Sequence, residues 1–111
     1  MSIRLDKPWR TLDEGSVEAL PGQLGVYQLA DKAGTVVLIS YAGGHSLFGL
    51  RSELSSQLSA RGEGSFLFRC EVTMQYMSRY QELLMLHLAD HGELPRDNDD
   101  DVATLGRLSP A

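Results

Sequence analysis

Two imidazoles, His87 and His91, stand four positions apart in what reads as one helix. That spacing lets both rings reach a single metal ion, as in the zinc-binding helix His-Glu-x-x-His. Leu88 occupies the place where the motif carries its glutamate, and His45, the remaining imidazole, lies in a distant loop. A helix-end role, with a last-turn His facing the helix dipole, is the plainer reading. Asp97, Asp99, Asp100 and Asp101 form an acidic run. Their oxygens could hold Ca²⁺ or Mg²⁺ weakly, but the spacing lacks the Gly and the distal Glu of an EF-hand loop. Gly43-Gly44 either allows a strand-to-helix turn or lets backbone amides approach an anion at the helix start. Arg79 and Glu82, at i and i+3, read as a surface ion pair. Cys70 alternates with phenylalanines and reads as a small buried hydrophobe. The chain has no P-loop, no Gly-x-Gly-x-x-Gly and no Gly-x-Ser-x-Gly.

These groups need elements to position them. Ser16 to Leu20 predicts one helical turn capped by Ser16 and stopped by Pro21-Gly22. Leu24–Leu29 and Thr35–Tyr41, joined by the turn Asp31-Lys32-Ala33-Gly34, predict a β-hairpin. The second of these strands is apolar at consecutive positions, which predicts cover on both faces and a central place in the sheet. Ser46 then caps a helix with a buried stripe of Leu47, Leu50, Leu54 and Leu58, ending near Gly62. Ser65–Thr73 alternates as a half-buried strand, with Phe66, Phe68, Cys70 and Val72 on one face. A second long helix spans Gln75 to His91, burying Met77, Tyr80, Leu84 and Leu88, with Gly92 as C-terminal cap and Pro95 beyond it. The expectation is an α+β fold, a small β-sheet of a hairpin plus a further strand, flanked by helices.

Length and charge set the frame. The chain has 111 residues, enough for one domain, and 42% hydrophobic with 23% charged residues is the balance of a globular protein. Residues 1–95 form the expected domain and residues 96–111 an acidic, flexible tail, because the last segment carries few apolar residues. A single cysteine excludes a disulfide framework and fits a reducing, cytoplasmic setting. No apolar run approaches the ~20 residues needed to span a bilayer, and the first residues lack the apolar stretch of a signal peptide. Ten basic against fifteen acidic residues give a net charge of −5, which disfavours nucleic acid as a partner without forbidding it. A protein partner or self-association is the other expectation.

At the centre of the hairpin, Gly25-Val26-Tyr27 and Tyr41-Ala42-Gly43 resemble the two half-motifs of the GIY-YIG nuclease superfamily. Arg51 follows Tyr41 by ten positions on the next helix, where that family places an arginine, and Leu20-Pro21-Gly22 resembles its lead-in. The element order matches from Leu20 to Gly92. The resemblance implies phosphodiester cleavage supported by Mg²⁺ or Mn²⁺. Tyr27 would help activate the attacking water, Tyr41 would support it, and Arg51 would stabilise charge on the phosphate. A guanidinium suits that task because it grips phosphate oxygens bidentately. The family's metal-holding Glu has no direct counterpart: the matching register places His87 there, and in a shifted register Glu82 is the only acid in the middle of the helix. Asn98 is the candidate for the family's downstream Asn, although it sits in the acidic run.

Two functions follow. One is a metal-dependent nuclease built on Tyr27, Tyr41, Arg51 and Glu82 or His87. The other is a catalytically inactive binding module of the same fold. The tyrosines also read simply as strand residues that bury their rings and hydrogen-bond their hydroxyls.

Overall fold

The computed structural model describes residues 4–44 and 47–101. They form β1 (Arg10–Thr11), α1 (Glu14–Glu18), β2 (Gly25–Asp31), β3 (Val36–Ala42), α2 (Gly49–Arg61), β4 (Phe66–Val72), α3 (Tyr76–His91) and a closing 3₁₀ segment, Arg96–Asp101. The four strands make one antiparallel sheet in the order β1-β4-β2-β3. The expected α+β class and the order hairpin, helix, strand, helix are both observed.

The hairpin turn follows from Asp31. Its carboxylate accepts from the amides of Ala33 and Thr35, each at 3.0 Å, and its backbone oxygen accepts from Gly34 at 2.9 Å. This is the Asx-type turn that Asp favours. The strand order differs from expectation: β2 is central and β3 lies on an edge. The apolar run in β3 reports cover on both faces, and that cover comes from helices above and below, which is independent of a strand's lateral place. A shift of register between Leu29 and Ala30 adds to the run. It turns Val37 toward the same core cluster as Leu38, so two neighbouring residues face one side.

Two cores flank the sheet. On one side Tyr27, Leu29, Ala42 and Phe68 meet Leu12, Val17, Leu50 and Leu54, beneath α1 and α2. On the other, Val26 and Ile39 meet Leu5, Tyr80, Leu83 and Leu84 under α3. Burying side chains of this size stabilises by about 1.5–3 kcal/mol each, so these two layers carry the fold.

Several local expectations shift. Asp13, not Ser16, caps α1: its carboxylate accepts from Ser16 N at 2.8 Å. α2 starts at Gly49, after Phe48, with no side-chain cap, and Ser46 lies outside the described residues. Gly49 is there for two reasons: its φ is +57°, and a Cβ would sit 2.2 Å from Gln23 O. Leu47 is therefore outside the helix and 82% exposed, not part of the buried stripe. α3 presents Leu83 with Tyr80 and Leu84 to the core, leaving Met77 exposed. Its C-terminal cap is Gly92, whose N–H donates to Leu88 O at 2.8 Å.

The 3₁₀ segment begins where the tail was expected to begin, and it docks on β3. Asn98 is 1% exposed. Its Oδ1 accepts from Ile39 N and its Nδ2 donates to Ile39 O, both at 2.8 Å. Arg61, at the end of α2, holds the neighbouring Asp97 at 2.8 Å. Residues 102–111 lie outside the described residues.

Candidate functional site

The pairing register decides where the resemblance residues point. Tyr27 is opposite Ser40, and Tyr41 is opposite Val26. Side chains alternate across a strand, so Tyr27 and Tyr41 fall on opposite faces of the sheet. Tyr27 is 1% exposed in the α2-side core, with its hydroxyl hydrogen-bonded to Ser40 and Gln57. Burial raises the pKa of its phenol, and the two hydrogen bonds only partly offset that. Such a phenol stays protonated at neutral pH and has no open side from which to activate water.

Tyr41 belongs to an aromatic cluster on the α3 side. Its ring stacks on Tyr76 at 5.7 Å between centroids and tilts against Tyr80 at 4.8 Å. The Tyr76 hydroxyl accepts from Gly44 N at 3.2 Å, fastening the strand-to-helix connection to the start of α3. The two motif glycines also have packing duties. A Cβ on Gly25 would lie 2.1 Å from Glu71 O, and one on Gly43 would lie 3.0 Å from the Tyr76 ring. Gly43 and Gly44 are not among the positive-φ residues, so the turn they were expected to permit is made at Gly49.

Arg51 is exposed at the start of α2 and donates from Nε to Leu20 O at 3.0 Å, tying the helix to the lead-in loop. It shares the α2 side with Tyr27. Glu82 and His87 lie on α3, across the sheet. They are five positions apart, so they project roughly 140° from one another around the helix axis. Glu82 is hydrogen-bonded by Arg79, whose guanidinium also grips Glu71 on β4 at 2.9 and 3.2 Å. The expected Arg79–Glu82 pair is thus one arm of a three-residue bridge that locks α3 to the sheet. His87 packs against His91, ring centroids 4.3 Å apart. Burial, and then the neighbouring His91, lower its pKa and keep it neutral at physiological pH. Among the described residues no three of His, Cys, Asp and Glu converge to hold a metal ion. Tyr27 and Arg51 are therefore brought to one side, and Tyr41, Glu82 and His87 to the other.

The acidic run proves partly structural, since Asn98 is turned inward onto Ile39. Cys70 is partly buried against the α2-side core, as its alternation predicts, and burial raises the pKa of its thiol. Arg69 donates to the buried Gln28 at 2.8 Å and lies over the Trp9 ring at 4.1 Å. It fastens the segment before β1 to the α3 side of the sheet.

A different feature stands at the end of the sheet where β2 begins. Leu50 N–H donates to Gln23 O at 2.8 Å and Thr73 N–H donates to Leu24 O at 3.0 Å. One loop thereby ties the start of α2 to the end of β4. That brings Leu47 and Phe48, 82% and 54% exposed, to the same end of the sheet as Val72 and Met74, 49% and 79% exposed. The reading of residues alone missed this end by assigning Leu47 and Val72 to core faces. The signal that finds it is Gly49: a helix that must start there leaves Leu47 and Phe48 ahead of the buried stripe.

The structure thus defines a small antiparallel α+β domain with helices on both faces and four exposed apolar side chains at one end of its sheet. Over residues 3–90 the chain belongs to the family described as a domain of unknown function, DUF7508. No curated protein and no solved structure matches it significantly. Among the described residues no helix is long and apolar enough to cross a membrane.

Proposed function

We propose that this domain is a non-catalytic binding module of GIY-YIG-like element order, which engages a protein partner through the apolar end of its sheet. The observation that carries this reading is the separation of Tyr27 from Tyr41 by the sheet itself. A nuclease needs its phenols, guanidinium and carboxylate around one phosphate, within hydrogen-bond reach of the reacting atoms. Tyr27 is enclosed, Arg51 is engaged by Leu20 O, and Glu82 is engaged by Arg79. The net charge of −5 works in the same direction, because a phosphate backbone is held chiefly by basic side chains.

Support for a protein partner comes from Leu47, Phe48, Val72 and Met74, large apolar side chains left in water at one end of the domain. Contact surfaces are built from exposed apolar groups of this kind where they adjoin one another. The test is cleavage of single-stranded, duplex and branched DNA and RNA with Mg²⁺ or Mn²⁺, comparing the native chain with Arg51→Ala. The expected result is no cutting by either folded protein. Metal-dependent cutting that disappears in Arg51→Ala overturns the reading and restores the nuclease.

A further inference from the structure

β3 is an edge strand with the character of an interior one. Its seven residues, Val36 to Ala42, include no charged side chain, no proline and no glycine. The bonds from Asn98 show that the backbone groups of Ile39 face outward, and alternation along the strand turns those of Tyr41 the same way, whereas Val37 is the bulge residue and has no partner on β2. Edge strands of this kind recruit further strands, and proteins blunt them with charges, prolines, bulges or a covering segment. Here the bulge lies near the turn, and among the described residues the 3₁₀ segment covers the middle of the edge, with Asn98 bonded to its backbone. The Asn98 amide presents an acceptor to Ile39 N and a donor to Ile39 O at 2.8 Å, the pair of bonds a neighbouring strand would make. The opposite edge, on β4, is met instead by β1.

We propose that the outer edge of β3 is a self-association surface for a second copy of this chain, held shut by Asn98. The segment that carries Asn98 is fastened by the ion pair Arg61–Asp97 and by the buried Pro95. Displacement of this segment leaves Ile39 and Tyr41 with outward N–H and C=O groups exposed to water, a template that an added extended strand can pair with. An antiparallel twofold pairing centred on Ile39 sets Ile39 of one copy opposite Ile39 of the other, and Leu38 opposite Ser40. No like charges meet in that register, so the strand is complementary to itself. This does not depend on whether the apolar end of the sheet has a partner.

The experiment is sedimentation velocity on the full chain over a wide range of concentration, for the native protein, Asn98→Ala and Asn98→Asp, paired with hydrogen exchange. Asn98→Asp keeps the size of the side chain but sets a carboxylate oxygen against Ile39 O. The native protein is expected to remain monomeric with a slowly exchanging Ile39 amide. Both variants are expected to form a dimer whose population rises with concentration. In the dimer, exchange at Ile39 and Tyr41 slows relative to the same variant diluted to monomer. Folded variants that stay monomeric overturn the proposal, as does a dimer that leaves those two amides unprotected. So does a native protein already dimeric through β3. If neither variant folds while the native chain is monomeric, Asn98 is a folding residue and the guard reading fails.

Discussion

Tyr27 and Tyr41 stand on neighbouring strands one residue out of step, and that single step of register sends one ring beneath α2 and the other beneath α3. Each ring then has its own work. Tyr27 fills the α2-side core and satisfies Ser40 and Gln57, while Tyr41 joins Tyr76 and Tyr80 in the layer that seats α3.

The first prediction concerns Tyr27. Tyr27→Phe removes hydrogen bonds but leaves the ring, and should lower stability by about 0.5–1.5 kcal/mol. Tyr27→Ala empties the site and should cost about 3–5 kcal/mol. Denaturant titration reads both, and a large loss from Phe with little further loss from Ala would contradict the packing role. Its phenol pKa is raised in the fold, so the unfolded chain ionises first. The stability Tyr27 contributes is present below the ordinary tyrosine pKa of about 10 and is lost as the pH rises through the folded value. A steeper alkaline loss for the native protein than for Tyr27→Phe is the expected signature.

Gly25 belongs to the Gly-Val-Tyr half-motif, yet its requirement is steric. A Cβ there would lie 2.1 Å from Glu71 O and 3.1 Å from a Leu50 methyl. Gly25→Ala should therefore force β2 and β4 apart, at a cost of about 2–3 kcal/mol by the measure of overpacked cores. Thermal unfolding checks this, and a midpoint within a degree or two of native would sink it.

Asp13 caps α1 through its bond to Ser16 N, which also holds its carboxyl below the usual aspartate range. Asp13→Ala should lose about 1 kcal/mol, whereas Ser16→Ala, at the position the residue pattern first suggests, should lose much less. Equal losses in chemical denaturation would show that the cap is shared.

His87 titrates low because of burial and its neighbour His91. The unfolded chain therefore takes up this proton first. The stability His87 contributes is intact above the ordinary histidine pKa of about 6.5 and declines as the pH falls through that value toward the folded one. Nuclear magnetic resonance titration of the His87 ring should show a midpoint below 6.5. His87→Gln should flatten the mildly acidic limb of the stability curve. A midpoint at or above the ordinary value would contradict the observed environment.

Much of the fold was legible in the residues themselves, for particular reasons. Asp31-Lys32-Ala33-Gly34 carries its own turn chemistry, the alternation from Phe66 to Val72 imposes a half-buried strand, and Gly92 with Pro95 ends α3. These are local rules, decided by residues a few positions apart. Helix starts were less legible, because Gly49 is required by contact with Gln23, a residue 26 positions earlier.

What the amino-acid sequence determined alone is the set of elements, their order and the apolar surface each must bury, since period and turn chemistry act within a few residues. What only the tertiary structure decided is lateral and facial placement. It set β2 rather than β3 in the centre, sent Tyr27 and Tyr41 to opposite layers, and turned Asn98 inward from an acidic run onto Ile39. Such placements depend on register and on which segments meet across long separations. A one-residue slip exchanges the faces of a strand without changing a single local preference.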